Sequence, residues 1–575
     1  MKRSIPALCA VLFALAIVSH RPCSGGAAAC AAEWGGSHVD AVFFNGTIYT
    51  LAEATPVAEA MAVGGGRIAG VGSTEDMRAL AGAETALYDL QGTTVLPGFV
   101  DAHAHFYGYA KNLSRIDLVG TDSPEAVMAM VAARLEDVPA GHWIVGRGWD
   151  QNDWPEPVYP DRHALDAVAP HHPVYLIRVC GHAAVANTEA LRIARITRET
   201  PDPPGGRIPR DAGGEPTGLL IDEAMAFVSD AVPTLTREEK KRLIALAARE
   251  CLAAGLVGIH EMGVRAETIS LYRELLAEDA LPLRLVIYYQ YDAPDLDSLV
   301  AAGPLVGYAG DHLSIVGVKF YTDGSLGARS AALLEDYSDD AGNSGILAIA
   351  PDELYRRAAV CHRGGFQLAI HAIGDRGNRI ALDVCEKVLK AFPSPDMRHR
   401  IEHAQIVSPG DIPRFSALGV IPSMQFTHCT SDMGWAGERL GPDRIAGAYA
   451  WRTLIASGCR IPGGSDFPVE SIDPLLGIYA AVTRQDLDGN PGGGWIPSER
   501  LTIDEAVRAF TIDAAYAAHE EERRGSLVPG KLADFVVLSR DIMTIPHRDI
   551  PHIEVLATVV GGNMVYRAEG FTLSQ

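Results

Sequence analysis

The sequence has no CxxC pair, no GxxxxGK[ST] loop and no apolar stretch long enough to span a bilayer. Each absence removes a class of protein. Its nine cysteines are scattered. Three precede residue 34, and Cys180, Cys251, Cys361, Cys385, Cys429 and Cys459 stand singly in apolar surroundings. That spacing excludes a disulfide framework or a zinc finger and reads as small core residues. Without a phosphate-cradling loop, nucleotide hydrolysis is set aside. The one glycine-rich run, GGGRIAG (Gly64–Gly70), lies among β-type segments and opens no helix, which disfavours a nicotinamide site. Positive charge is also scarce: 49 basic residues face 72 acidic ones, for a net charge of −23. Such a chain repels nucleic-acid phosphates and anionic lipid, so neither is expected as a partner. The acidity reads as a solvated surface.

What remains is a globular composition, 48% hydrophobic and 21% charged over 575 residues. That length predicts a barrel-sized domain with an accessory domain. Residues 1–34 are set apart as a signal peptide. Lys2 and Arg3 precede an apolar run, Ala7–Val18, shorter than the roughly 20 residues of a membrane span, and Ala27-Ala28-Ala29 offers a small-residue cleavage site. The expectation is export to the periplasm or exterior, with no membrane span in the mature chain. Cys30 is an alternative lipid-attachment point, though no Leu stands three positions before it.

The segments VDAVFFNGTIYT (from Val39), EAMAVGGGRIAGVG (from Glu59) and TALYDLQGTTV (from Thr85) read as β-hairpins separated by glycine-containing turns. LADFVVLSRDI (from Leu532) and IEVLATVVGGNMVYR (from Ile553) form a matching group at the other end. Neither group can build its own core, so 35–94 and 525–575 are expected to join in one small β-sandwich domain. Between them, eight apolar strand-length runs alternate with helical stretches: VLPGFVDAHAHF, LVGIHEM, LRLVIYYQY, IVGVKFYTDG, FQLAIHAIGD, HRIEHAQIV, GVIPSMQF and CRIPGGSDFPV. Eight such units predict an α/β fold, a (β/α)8 TIM barrel over 95–524. Capping-box patterns at Thr236–Glu239 and Thr502–Glu505 mark two helix starts. A long insertion after the first barrel strand, 107–254, carries the strand PVYLIRV and the aromatic segment GRGWDQNDWPE. It is expected to form a substrate-shaping lid.

Polar residues inside these strands carry the chemistry. His103 and His105 lie two apart at the end of strand one, on one side of it. Lys319 lies in strand four, His371 ends strand five, His403 strand six and Asp466 strand eight. Barrel enzymes place catalytic groups on that C-terminal rim. Singly, each histidine reads equally well as a hydrogen-bonded core residue. As a set of six on five strands they read as a site for Zn(II) or another divalent ion. Lys319 fits only if burial neutralises it or carbon dioxide converts it to an anionic carbamate.

DAHAHF (Asp101–Phe106), VKFYTDGSLGARSA (Val318–Ala331), HAIGDRGN (His371–Asn378), RIEHAQ (Arg400–Gln405) and GSDFPV (Gly464–Val469) resemble the amidohydrolase superfamily. In detail they look like its amidohydrolase 3 branch, which includes the N-substituted formamide deformylases. PGKLADFVVL (Pro529–Leu538) resembles the family's closing β-segment, so the likeness covers nearly the whole mature chain. The resemblance implies that His103, His105 and Asp466 serve one metal and His371 and His403 a second, with carboxylated Lys319 as a bridge. Metal count is one or two. GHAAVAN (Gly181–Asn187) resembles a further segment and makes His182 a candidate substrate contact.

The expected activity is metal-assisted hydrolysis of a carbon–nitrogen bond other than a peptide bond in a small molecule. Asp466 is expected to move the proton, with His371 and His403 in the catalytic set. An N-substituted formamide is the leading substrate. A cyclic amide, an N-acyl amino acid or a heterocyclic amine at the same centre remain open, as does a non-catalytic scaffold on the same barrel. A homodimer is the expected assembly.

Overall fold

The computed structural model describes residues 38–572 other than 137, 157, 179 and 180. The expected signal peptide, Cys30 and Cys180 lie outside them. Eight strands run in parallel register: Phe99–Ala104, Leu256–Val264, Arg284–Gln290, Leu313–Tyr321, Gln367–Ala372, Arg400–His403, Ile421–Gln425 and Gly463–Gly464. They coincide with the eight apolar runs of the sequence. The ring closes where Asp466 N–H donates to His103 C=O and His105 N–H to Phe467 C=O, both at 2.8 Å. The fold is therefore a TIM barrel.

Both faces of these strands are covered, which is why they read as unbroken apolar runs. Leu285, Val286, Ile287 and Tyr288 are all buried, the odd pair against the outer helices and the even pair inside the barrel. Both capping boxes form, opening helices Arg237–Ala253 and Ile503–Ala509. After the first of these helices, Gly255 turns the chain into strand two at φ +84°, and a Cβ there would meet Phe99 and Val536 at 3.1 Å. Glycine answers both demands. Cys251, Cys361, Cys385 and Cys429 are buried as read, while Cys459 is half-buried.

The end segments are built differently from the hairpin reading. Ala60–Gly64 and Arg67–Gly72 do form an antiparallel hairpin. The other two segments each split between two sheets. Ala41–Phe44 and Ala86–Asp89 join that hairpin, whereas Thr47–Tyr49 and Thr94–Pro97 enter a second sheet with Phe535–Leu538, Val555–Val560 and Asn563–Arg567. The two sheets share a core in which Phe43 meets Phe535 edge-on at 4.9 Å. A strand that changes sheets contributes to two layers, and local turn signals cannot distinguish that from a hairpin. The buried pair Arg284–Asp534, 2.7 Å apart, ties barrel strand three to the C-terminal segment.

The insertion after strand one forms a six-stranded sheet that includes Ile144–Trp149, Val174–Arg178 and Ala183–Ala186. It has apolar clusters of its own, one containing Trp149 and Trp154. No helix of the described residues is long and apolar enough to cross a membrane.

Candidate metal centre

Strands one and eight are locked by a carboxylate. Asp101 accepts from His103 N–H at 2.9 Å and from Ser465 Oγ at 2.6 Å, and burial pushes its carboxyl up to about 7. This holds the His103–His105 end of strand one against Asp466. Asp466 sits at φ +60° and His403 at φ +71°, a region that side chains other than glycine enter at a cost. Backbone strain of this kind persists where a site demands it.

The orientation of the histidines follows from their outer partners. His103 Nδ1 lies 2.6 Å from Glu402 Oε2. Burial opposes the Glu402 charge, but the Arg400 guanidinium and His103 hold its carboxyl well below the usual carboxylate range. Arg400, itself buried, donates to Glu402, Ser423 Oγ and Ala102 C=O. Facing an ionised carboxylate, His103 Nδ1 carries the proton, so its Nε2 is a lone pair. His105 Nδ1 donates to Met262 C=O at 3.1 Å, which turns its Nε2 toward Asp466. The two Nε2 atoms stand 3.4 and 3.2 Å from Asp466 Oδ1.

Three potential metal donors thus converge on one another. Asp466 Oδ1 and His403 Nδ1 are buried and make no hydrogen bond. Donor atoms of His103, His403 and Asp466 all lie within 4.8 Å of one another. These donors fit a divalent cation, and the outer carboxylate on a ligand histidine is the usual device for aiming it.

Lys319 and His371 complete the group. Lys319 Nζ is 3.2 Å from His103 Nε2, and burial lowers its ammonium to about 8. The His371 ring centroid is 4.5 Å from that of His403, and the His403 centroid 4.8 Å from that of His103. Burial lowers His371 to about 3 and His403 well below the ordinary imidazole value, so both are neutral. His371 Nε2 approaches Gly324 C=O at 3.3 Å and Asp323 Oδ1 at 3.6 Å. Asp323 is itself held by N–H groups of Ile373, Gly374 and Ala332. All six residues named from the sequence therefore adjoin one another. His182 lies on the insertion with its side chain 79% exposed, 3.1 Å from Asp222.

Glu402, Asp101 and Asp323 escaped the sequence reading. Arg400 and Glu402, two apart in a buried strand, were a legible signal: such charges are retained only when paired.

The family model described as the amidohydrolase family matches residues 86–566. This chain belongs to the amidohydrolase family. The family makes the chain a hydrolase, and it implies a small-molecule substrate. Among curated relatives of this amidohydrolase, "Putative amidohydrolase YtcJ" of Bacillus subtilis (strain 168) is 35% identical over 92% of the chain and 99% of the relative. "Protein LONG AFTER FAR-RED 3" of Arabidopsis thaliana is also 35% identical, over 92% and 91%. The N-substituted formamide deformylase of Arthrobacter pascens is 29% identical over 92% and 99%. A crystal structure of an uncharacterized metal-dependent hydrolase from Pyrococcus horikoshii OT3 superposes with TM-score 0.72 at 30% identity, covering 88% of this chain and 99% of that one. The barrel and the His/His/Asp group agree with metal-dependent hydrolysis.

Proposed function

We propose that this amidohydrolase cleaves the carbon–nitrogen bond of a small amide, with N-substituted formamides as substrate class, at a centre of one or two divalent ions, zinc foremost. The observation that carries the reading is the convergence of His103 Nε2 and His105 Nε2 on Asp466 Oδ1 at 3.4 and 3.2 Å, with Nδ1 of each ring engaged elsewhere. The formamide class is supported by the Arthrobacter pascens relative.

In this reading His103, His105 and Asp466 hold one ion and His371 and His403 the second. Lys319 joins them once carbon dioxide has carboxylated its amine. Burial supports that step, because a lysine lowered to about 8 presents more of the neutral amine that reacts. A bound divalent ion supplies Lewis acidity that polarises a carbonyl and acidifies water. The neutral rings of His371 and His403 add no repelling charge. Asp466 takes a proton from the attacking water and returns it to the departing amine nitrogen. The insertion serves as a lid with His182 at its substrate face. Export through residues 1–34 and assembly as a homodimer complete the proposal.

The test is metal analysis of protein expressed with ample metal, followed by release of amine from formamides, N-acyl amino acids and cyclic amides. Metal content near zero would remove the centre. Amine from another amide class but not from formamides would overturn the substrate.

A further inference from the structure

The seventh barrel strand contributes none of the six residues named above, yet it delivers a histidine to the same place. His428 lies in the helix Phe426–Asp432, which starts directly after Ile421–Gln425. Its ring stacks on that of His403 with centroids 5.9 Å apart and planes 18° from parallel. Its Nε2 is 3.9 Å from Asp466 Oδ2. Asp466 therefore has two differently engaged oxygens: Oδ1 faces His103 and His105, and Oδ2 faces His428.

The side chain of His428 is only 13% exposed, and its Nε2 is buried without a hydrogen-bond partner. Its own helix does not provide one. Asp432, one turn on, is engaged by Gln405 Nε2 at 2.8 Å and by the Tyr449 hydroxyl. Glu470 accepts from Ser431 Oγ. The Asp466 oxygen that His428 faces is 3.9 Å away, beyond hydrogen-bond reach, so Nε2 has no protein partner on that side either. A buried polar nitrogen without a partner is costly, and in a site it marks the place of a ligand's polar atom.

We propose that His428 is a further catalytic residue, whose Nε2–H donates to the scissile carbonyl oxygen as that oxygen gains negative charge. The proposal deepens the amide-hydrolysis reading and rests on it. A donor fixed by stacking on His403 and packed beside the proton-carrying Asp466 meets the transition state without reorganising, which is where such donors contribute most.

The experiment compares wild type with His428→Phe and His428→Gln as metal-loaded full-length proteins. Phe keeps the ring stack and removes the donor, while Gln keeps an N–H. In His428→Phe, kcat for N-benzylformamide should fall about 10²–10³-fold with KM within about twofold, and metal content should stay at the wild-type level. His428→Gln should recover part of that loss. Affinity for methylphosphonate, a tetrahedral oxyanion, should fall on the order of 100-fold in His428→Phe. Full kcat in His428→Phe, or phosphonate affinity equal to wild type, overturns the proposal. Loss of metal from both variants overturns it too, by making His428 a ligand. The phosphonate measurement reads His428 separately from the substrate class: wild type releasing no amine from any amide defeats the amide reading, whereas unchanged phosphonate affinity defeats this one.

Discussion

His103 Nδ1 lies 2.6 Å from Glu402 Oε2, with both side chains completely buried. That contact decides which nitrogen of His103 faces Asp466. Glu402→Gln removes the charge and lets an amide N–H meet Nδ1, which favours the tautomer with its proton on Nε2. Metal affinity should fall about 10–100-fold, measured by competition with a chelator. Wild-type affinity in this variant would show that the carboxylate does not set the tautomer.

Asp466 is assigned the proton transfer. Asp466→Asn keeps the shape and removes the base, so kcat should fall by about 10²–10⁴ while a fraction of the metal remains bound. Turnover and metal content measured on one preparation check this, and near-normal turnover would reject the role.

The proposed carboxylation of Lys319 would make metal loading depend on carbon dioxide. Metal-free wild type refolded or reloaded with added bicarbonate should bind more metal than when reloaded in degassed buffer. Lys319→Ala should show no such difference. Equal loading of wild type in both buffers would exclude the carbamate.

Metal removal should also be visible in stability. An ion that binds only the folded chain stabilises it by about 4 kcal/mol at a thousandfold excess over Kd. Dialysis against a chelator should therefore lower Tm by several degrees, and zinc should restore it. An unchanged Tm, with metal loss verified, would place the ion outside the folded core.

Glu505 supplies a pH-dependent stability. Burial alone would raise its carboxyl, but Arg452 and the Thr502 capping contacts lower it to about 2 from an ordinary 4.5. A lowered carboxyl stabilises fully above the ordinary value and loses that contribution as pH falls through the folded one. Glu505→Gln should therefore cost about 1 kcal/mol at pH 7, kept small by partial solvent screening. The difference from wild type should shrink below pH 4.5 and vanish near pH 2. Urea midpoints of both proteins across that range are the measurement.

Much of this was legible along the chain. The barrel strands announced themselves because burial on both faces requires unbroken apolar runs, and the two capping boxes appear where Thr and Glu stand three apart. His103, His105, Lys319, His371, His403 and Asp466 stood out as polar residues in strands that otherwise exclude them. The hairpins at the ends were misread in two segments of three, because a turn signal marks a change of direction and not the sheet that receives the next strand.

By itself the sequence determined the barrel, the family and the six polar residues at its rim, since each is a matter of residue type and spacing along one strand. Tertiary structure alone decided how they face one another. Glu402 and His403 are adjacent, so strand alternation would send them to opposite sides. The left-handed backbone at His403 and the cross-barrel approach of His103 bring both to one centre. Donor tautomers and His428's place beside Asp466 depend on contacts between residues far apart in the chain, and only the closed barrel creates those.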